Sequence, residues 1–313
     1  MGEGMRLEGI HHVTCITADA PRNVDFYARL LGLRLVKKTV NQDDPTVYHL
    51  FYADEKGSAG SDLTFFEYRG LARGRAGAGM VHRITWRVAS EEALAFWEER
   101  LGGEGIATER HGRALRFHDF EGLGLEIAAV ENDDEPLVAE HPEIPAELAL
   151  QGFDGVRAYS RAPDASRMFL EGGLGLTPVE PPERWEARGD ERGSWYAYDQ
   201  APGERGLGGA GTVHHVAWAS QIDEHEAWRA RVERAGANPT PVIDRFYFRS
   251  IYFREPSGVL FEIATLGPGF TADEPIETLG EALSLPPNYE SLREQLNDVL
   301  TPLPNPREAW TRR

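Results

Sequence analysis

Cysteine is almost absent. Cys15 is the single one in 313 residues, so no internal disulfide can form, and the expected setting is a reducing cytoplasm. No stretch of about 18 or more consecutive apolar residues occurs, which argues against a helical membrane span. The opening MGEGMRLEGIHH has none of the basic, apolar and small-residue regions of a secretory signal. Basic residues are scarce as well: 33 Lys and Arg face 51 Asp and Glu, for a formal net charge of −18. Such a chain repels phosphate backbones and anionic lipid, so neither nucleic acid nor a membrane is an expected partner. The acidity itself reads as solubility. What remains is a composition of 41% hydrophobic and 27% charged residues, that of a globular protein long enough for two domains or one double domain.

Repetition is the strongest internal signal. Four segments begin alike: GIHHVTCITAD from Gly9, GMVHRITWRVAS from Gly79, FDGVRAYSRAPD from Phe153 and GTVHHVAWASQID from Gly211. Each alternates as a strand does. Helical patterns follow three of them (APRNVDFYARLLG, EEALAFWEERLGG and DEHEAWRARVERAG), and a shorter one, DASRMFLEGGLGL, follows the third. Short strand-like runs complete each unit, and three units end on LTFFEYRG, GLGLEIAAV or GVLFEIATL, each with a Glu between apolar neighbours. The third ends on SWYAYDQ, without a carboxylate at the matching place. The expected class is therefore α+β, with four βαβββ modules paired into two half-barrel cavities. The expected divisions are an N-terminal half at 5–130, a linker at 131–150, a C-terminal half at 151–266, and a tail at 267–313. In the tail, Leu292, Leu296, Val299 and Leu300 share one face of a packing helix.

Gly206, Gly208 and Gly211 spell GxGxxG, the dinucleotide fingerprint. That mechanism needs the loop to open a helix whose N-terminus holds the pyrophosphate. Here the loop runs into a strand, so it reads as a connector.

Histidine on a first strand and glutamate on a last strand form a pattern that a divalent metal can use, because strands hold ligands rigidly. Aligned on the apolar residue that follows, the candidates are His12 with Glu67, His82 with Glu126, and His215 with Glu262. The third unit offers Gly155. If units one and four share a cavity, His12, His215 and Glu262 are available and Glu67 offers a fourth ligand. Units two and three together have only His82 and Glu126, too few for a site and best read as a trace of duplication.

These residues resemble the vicinal oxygen chelate superfamily. Within it, GIHHVTCIT, GTVHHVAWAS and DRFYFRSIYFREPSGVLFEIATLGPGF are most similar to ring-cleaving, extradiol-type dioxygenases that open hydroquinones. The resemblance implies Fe(II), or Mn(II), on His12, His215 and Glu262. It also implies a pocket lined by His11, Thr14, His214, Arg245 and Tyr252, with a small aromatic substrate and O2 as partners; a homo-oligomer is compatible with it. Two His and one carboxylate leave open positions for substrate and O2. Arg245 and Tyr252 supply donors for developing oxyanions, and His11 or His214 can move protons near neutral pH. Strand alternation turns Thr14 to the same side as His12 and turns His11 and His214 away, so these two act from the cavity edge or pack. The bland alternative for Arg245 is a pair with Asp244.

Two other functions compete. A four-ligand site including Glu67 resembles the glyoxalase branch, a metal-dependent isomerase or lyase that uses no O2. A second carboxylate would neutralise the ion and fill a position that O2 needs, so Glu67 is left out of the expected set. A drug-sequestering protein of the bleomycin-resistance type could attract a cationic drug to this acidic chain, but such proteins are short and lack the triad. The stretch PPERWEARGDERGS (181–194) is expected to be a loop that shapes the pocket.

Overall fold

The structure is a computed structural model, and it describes residues 4–308 and 310. The first module contributes β1 (Ile10–Thr17), β2 (Arg34–Asn41), β3 (Asp44–Ala53) and β4 (Asp62–Glu67). The second contributes β5 (Met80–Val88), β6 (Glu109–His111), β7 (Ala114–His118) and β8 (Gly124–Ala129). The third contributes β9 (Phe153–Ser160), β10 (Thr177–Val179), β11 (Arg184–Arg188) and β12 (Gly193–Gln200). The fourth contributes β13 (Thr212–Ser220), β14 (Ile243–Asp244), β15 (Arg249–Arg254) and β16 (Leu260–Thr265). In every module a helix follows the first strand. In the first and third modules it is a short α-helix that widens into π turns, over Asp25–Leu30 and Phe169–Gly173.

The strands form two eight-stranded sheets, ordered β14-β15-β16-β13-β1-β4-β3-β2 and β10-β11-β12-β9-β5-β8-β7-β6. Each sheet thus takes one module from each half of the chain: the first and fourth modules build one, and the second and third build the other. Both have the same centre. The first strands of two modules run antiparallel, with Val13 opposite Val216 in one sheet and Ile84 opposite Val156 in the other. Alternation along these strands sends one set of side chains into an apolar core spanning both sheets, in which Trp86, Trp97, Trp185, Trp218 and Trp228 are fully buried.

The glycine-rich connectors meet each other. Residues 73 and 75 bridge to 210 and 207, and a Cβ on Gly77 would sit 2.3 Å from the Gly206 nitrogen. Close approach of two backbones therefore accounts for Gly206, and Gly211 takes a left-handed φ of 77° against the Glu121 carbonyl. The 131–150 segment is not a free linker, because Ala139, Ile144, Ala149 and Leu150 are buried and Asp134 pairs with the buried Arg87. The 181–194 stretch is not a pocket loop either. It holds β11 and the start of β12, toward the edge of the second sheet and away from the cavity described below.

The tail straps the outer part of the first sheet. It satisfies three buried cations of β2: Arg34 donates to the Ile276 and Glu277 carbonyls, and Lys38 to those of Glu281 and Leu303. Lys37, with no exposed surface, donates to the Phe270 carbonyl at 3.1 Å and pairs with Asp273 and Glu274. Its short helix, Arg293–Val299, buries Leu296, and the adjoining Leu300 is buried too.

Candidate metal centre

Two central strands and their parallel neighbour bring three donor atoms together. His12 on β1 and His215 on β13 place their Nε2 atoms 3.3 Å apart, and Glu262 Oε2 on β16 lies 3.2 Å from the first and 2.9 Å from the second. All three residues are buried, Glu262 completely. Its Oε2 receives no well-directed hydrogen bond despite those short distances, while its other oxygen accepts from Ser250 Oγ. A buried carboxylate oxygen that faces two ring nitrogens in poor hydrogen-bond geometry is costly unless a cation sits there. Metal bonds of about 2.1 Å at right angles put donors about 3 Å apart, the spacing found here. The residues therefore fit a divalent ion. Burial works against ionisation of Glu262, but the facing His12 and His215 outweigh it and hold the carboxyl well below its ordinary range. Burial likewise lowers the His215 pKa, which favours the neutral imidazole that a metal needs.

Register identifies the fourth position. Glu262 lies opposite Ala217, two residues after His215. The same step from His12 reaches Thr14, which lies opposite Thr64. Thr64, not Glu67, thus stands where a fourth ligand would be. Glu67 is three residues farther on and turned elsewhere, accepting from the Ala20 nitrogen at 2.9 Å and from Thr301 Oγ1. Aligning FFEY with LFEI by eye missed this three-residue offset.

The second sheet corrects another alignment. Opposite Val156 stands Ile84, and the residue before it, Arg83, takes the place of His12, while Gly155 takes the place of His215. His82 is one residue out of phase; it donates to Asp199 at 2.8 Å and stacks on Tyr159. Glu126, opposite Thr85, occupies the register of Thr64 and accepts from Arg116 and Thr85.

The triad opens into a cavity of about 430 Å3. Arg245 and Tyr252 both line it, and Arg245 Nε donates to Tyr252 Oη at 3.3 Å. Arg245 pairs through both terminal nitrogens with Asp43, at 3.1 and 3.0 Å, not with Asp244. Asp244 instead caps the tight turn by accepting from the Phe246 nitrogen, where Phe246 holds a left-handed φ of 70°. Burial raises the Tyr252 pKa, keeping the phenol protonated. His214 also lines the cavity and is exposed, although the flanking protein and His215 hold its pKa down to about 4. His11 and Thr14 do not line it. His11 is buried behind His12 against Phe248, and Thr14 is fully buried, accepting from Thr64 Oγ1 at 2.8 Å. Their expected contact with substrate is therefore corrected: His12 and Phe248 stand in front of His11, and Thr14 is hydrogen-bonded to Thr64.

Sequence reasoning missed His49, Gln42, Asp43, Phe51, Phe66, Tyr247 and Phe248, all of which line the cavity. In VYHLFYA, alternation puts Val47, His49 and Phe51 on one face, opposite to Tyr48, Leu50 and Tyr52. A histidine between aromatic neighbours on a first-module strand was the available signal.

Residues 9–85 and 79–263 match the family described as the Glyoxalase/Bleomycin resistance protein/Dioxygenase superfamily. The chain belongs to this superfamily. Among its relatives is a Bacillus subtilis (strain 168) protein, provisionally named ring-cleaving dioxygenase MhqO, that is 42% identical over 94% of this chain and 96% of its own length. The chlorohydroquinone/hydroquinone 1,2-dioxygenase of Sphingobium indicum is 33% identical over 93% of this chain and 95% of its own. A crystal structure described as that of a dioxygenase of provisional assignment from Bacillus subtilis superposes with a TM-score of 0.89 at 41% identity, covering 95% of this chain and 98% of that one. Maize glyoxalase I shares the superfamily fold, with a TM-score of 0.58 at 15% identity over 84% of this chain and 93% of its own. Superfamily membership and these relatives agree with an α+β oxidoreductase scaffold of metal-dependent type. Among the described residues no helix is long and apolar enough to cross a membrane.

Proposed function

We propose that this protein is a ring-cleaving dioxygenase that opens an aromatic diol, a hydroquinone foremost, with O2. The observation that carries the reading is the convergence of His12, His215 and Glu262 with threonine, not a carboxylate, at the fourth position. Three protein ligands leave room for both substrate and O2, whereas a fourth carboxylate would serve the glyoxalase-type isomerisation better. Fe(II), or Mn(II), on these ligands would lend electron density from a bound phenolate to O2 and so overcome the poor reactivity of O2 toward closed-shell rings. The name of the Sphingobium relative specifies 1,2-cleavage, between an oxygenated carbon and its neighbour, and the same bond is proposed here.

The chain's own residues do the rest. Phe51, Phe66 and Phe248 give the ring an apolar berth and limit water, which strengthens every polar contact inside. Arg245, held by Asp43, keeps its charge at the mouth, and Tyr252 accepts from it, so the phenol proton of Tyr252 is free to point at a substrate oxygen. Both are placed to stabilise negative charge as the ring opens.

The test is metal analysis with oxygen uptake across a panel of hydroquinones and catechols, using anaerobically prepared Fe(II) protein. One O2 consumed per ring opened is the expected result. Protein that holds iron yet consumes no O2 with any member of the panel overturns the reading.

A further inference from the structure

Opening a diol ring requires a base for the substrate hydroxyl, and the hydrogen bonds around the triad decide which histidine has a lone pair to offer. As metal ligands through Nε2, His12 and His215 must carry their proton on Nδ1. Each then donates it to the histidine before it, with Nδ1 to Nδ1 separations of 3.0 Å for His12 and His11 and 2.7 Å for His215 and His214. The doublets are thus ligand and acceptor in one dipeptide, the arrangement that fixes a ligand's tautomer and raises its basicity. Accepting on Nδ1 forces the neutral ring to hold its own proton on Nε2. The Thr265 backbone is the further partner of the His11 ring. His214 presents an N–H to the cavity. Neither has a lone pair left for substrate.

His49 is the reverse case. Its Nε2 lies 2.9 Å from Thr64 Oγ1, whose own proton goes to Thr14. The Thr64 oxygen must therefore accept, which puts the His49 proton on Nε2 and leaves Nδ1 unprotonated. The ring is held between Phe51 and Phe66, with centroids 4.0 and 4.3 Å away, at the cavity wall. His12, His215, Glu262 and Arg245 are the titratable groups that act on it, and burial with the two histidines keeps it neutral.

We propose that His49 is the catalytic base, with Thr64 as its positioning residue; this rests on the dioxygenase reading above. The substrate O–H bond breaks as a bond to His49 Nδ1 forms, and the electron pair stays on the oxygen. The proton returns to an oxygen of the ring-opened product, so the base is regenerated and O2 is the sole oxidant.

The test separates proton transfer from oxygen chemistry. Wild type, His49→Ala, Thr64→Val and Thr64→Ser are loaded with Fe(II) without air, assayed for metal, and titrated anaerobically with 4-nitrocatechol, whose absorbance reports the loss of its second proton. Wild type should ionise the bound probe. His49→Ala should keep its metal but leave the probe singly ionised, Thr64→Val should lower the ionised fraction, and Thr64→Ser should restore it. With O2, His49→Ala should lose about 100-fold or more in kcat and regain part with added imidazole. Full ionisation by iron-replete His49→Ala overturns the proposal, as does a wild type that leaves the probe unionised. If His49→Ala does not fold, the Thr64 pair decides: equal ionisation by the Val and Ser variants overturns it. A wild type that ionises the probe but consumes no O2 sinks the dioxygenase reading and leaves His49 as the base of a metal enzyme of another kind.

Discussion

The two sheets are built to one plan, and among the described residues only one of them gathers a histidine and carboxylate cluster able to hold a metal. Where the first sheet has His12 and His215, the second has Arg83 and Gly155, and where the first has Glu262 on β16, the second has Ala197 on β12. Arg184, Ala197, Arg157 and Arg83 lie in one row across four strands of the second sheet. Arg157 grips Asp199 at 2.7 and 2.6 Å, and Arg116 grips Glu126 at 2.6 Å. Trp195 takes the room beside Gly155, where an added Cβ would fall 2.1 Å from its ring. A shared fold therefore carries no activity by itself; three register positions separate the sheet with the candidate metal centre from the ion-paired one.

The largest effect should come from exchanging tests between equivalent positions. His215→Ala should abolish metal binding and activity, whereas Arg83→Ala and His82→Ala should leave metal content and turnover nearly intact by metal analysis and oxygen uptake. Equal losses would break the comparison. Next, Glu262→Gln should weaken metal binding by at least 10 to 100-fold, judged by titration against a chelator, while Glu67→Gln should keep full metal occupancy. Loss of metal from Glu67→Gln would reinstate the four-ligand site. Third, Gly155→Ala should cost about 1–3 kcal/mol in denaturant melts without touching the triad, because the methyl group overpacks Trp195.

The smallest effect concerns pH. Burial opposes the charge of Asp199, but Arg157 and His82 prevail and depress its pKa below the ordinary carboxylate value. A depressed carboxylate contributes stability above the unfolded pKa of about 4 and loses it as pH falls toward the folded one. Wild type should therefore melt above Asp199→Asn at pH 7, and the gap should narrow between about pH 4 and pH 2. A constant gap would show that the ion pair is not its source.

The module count was legible because it follows from repetition and alternation, which are local patterns, and the pairing of first with fourth was weighed from which units carry histidine and glutamate. Bringing His12, His215 and Glu262 together needed only the matching of two doublets and one carboxylate. Register across paired strands was not legible. Glu67 against Thr64 and His82 against Arg83 differ by three residues and one, and such offsets are set by loop lengths and bulges that pattern does not encode. His49 escaped because it sits on a third strand with no repeated motif. Its relation to Thr64 exists only once β3 and β4 pair.

His12 and His215 are separated by 203 residues, and the pairing of modules is nested. Every strand of the second sheet lies between β4 and β13 in the chain and is synthesised before β13. The candidate triad is therefore complete only with the last module, and a chain interrupted before residue 212 carries His12 alone of the three.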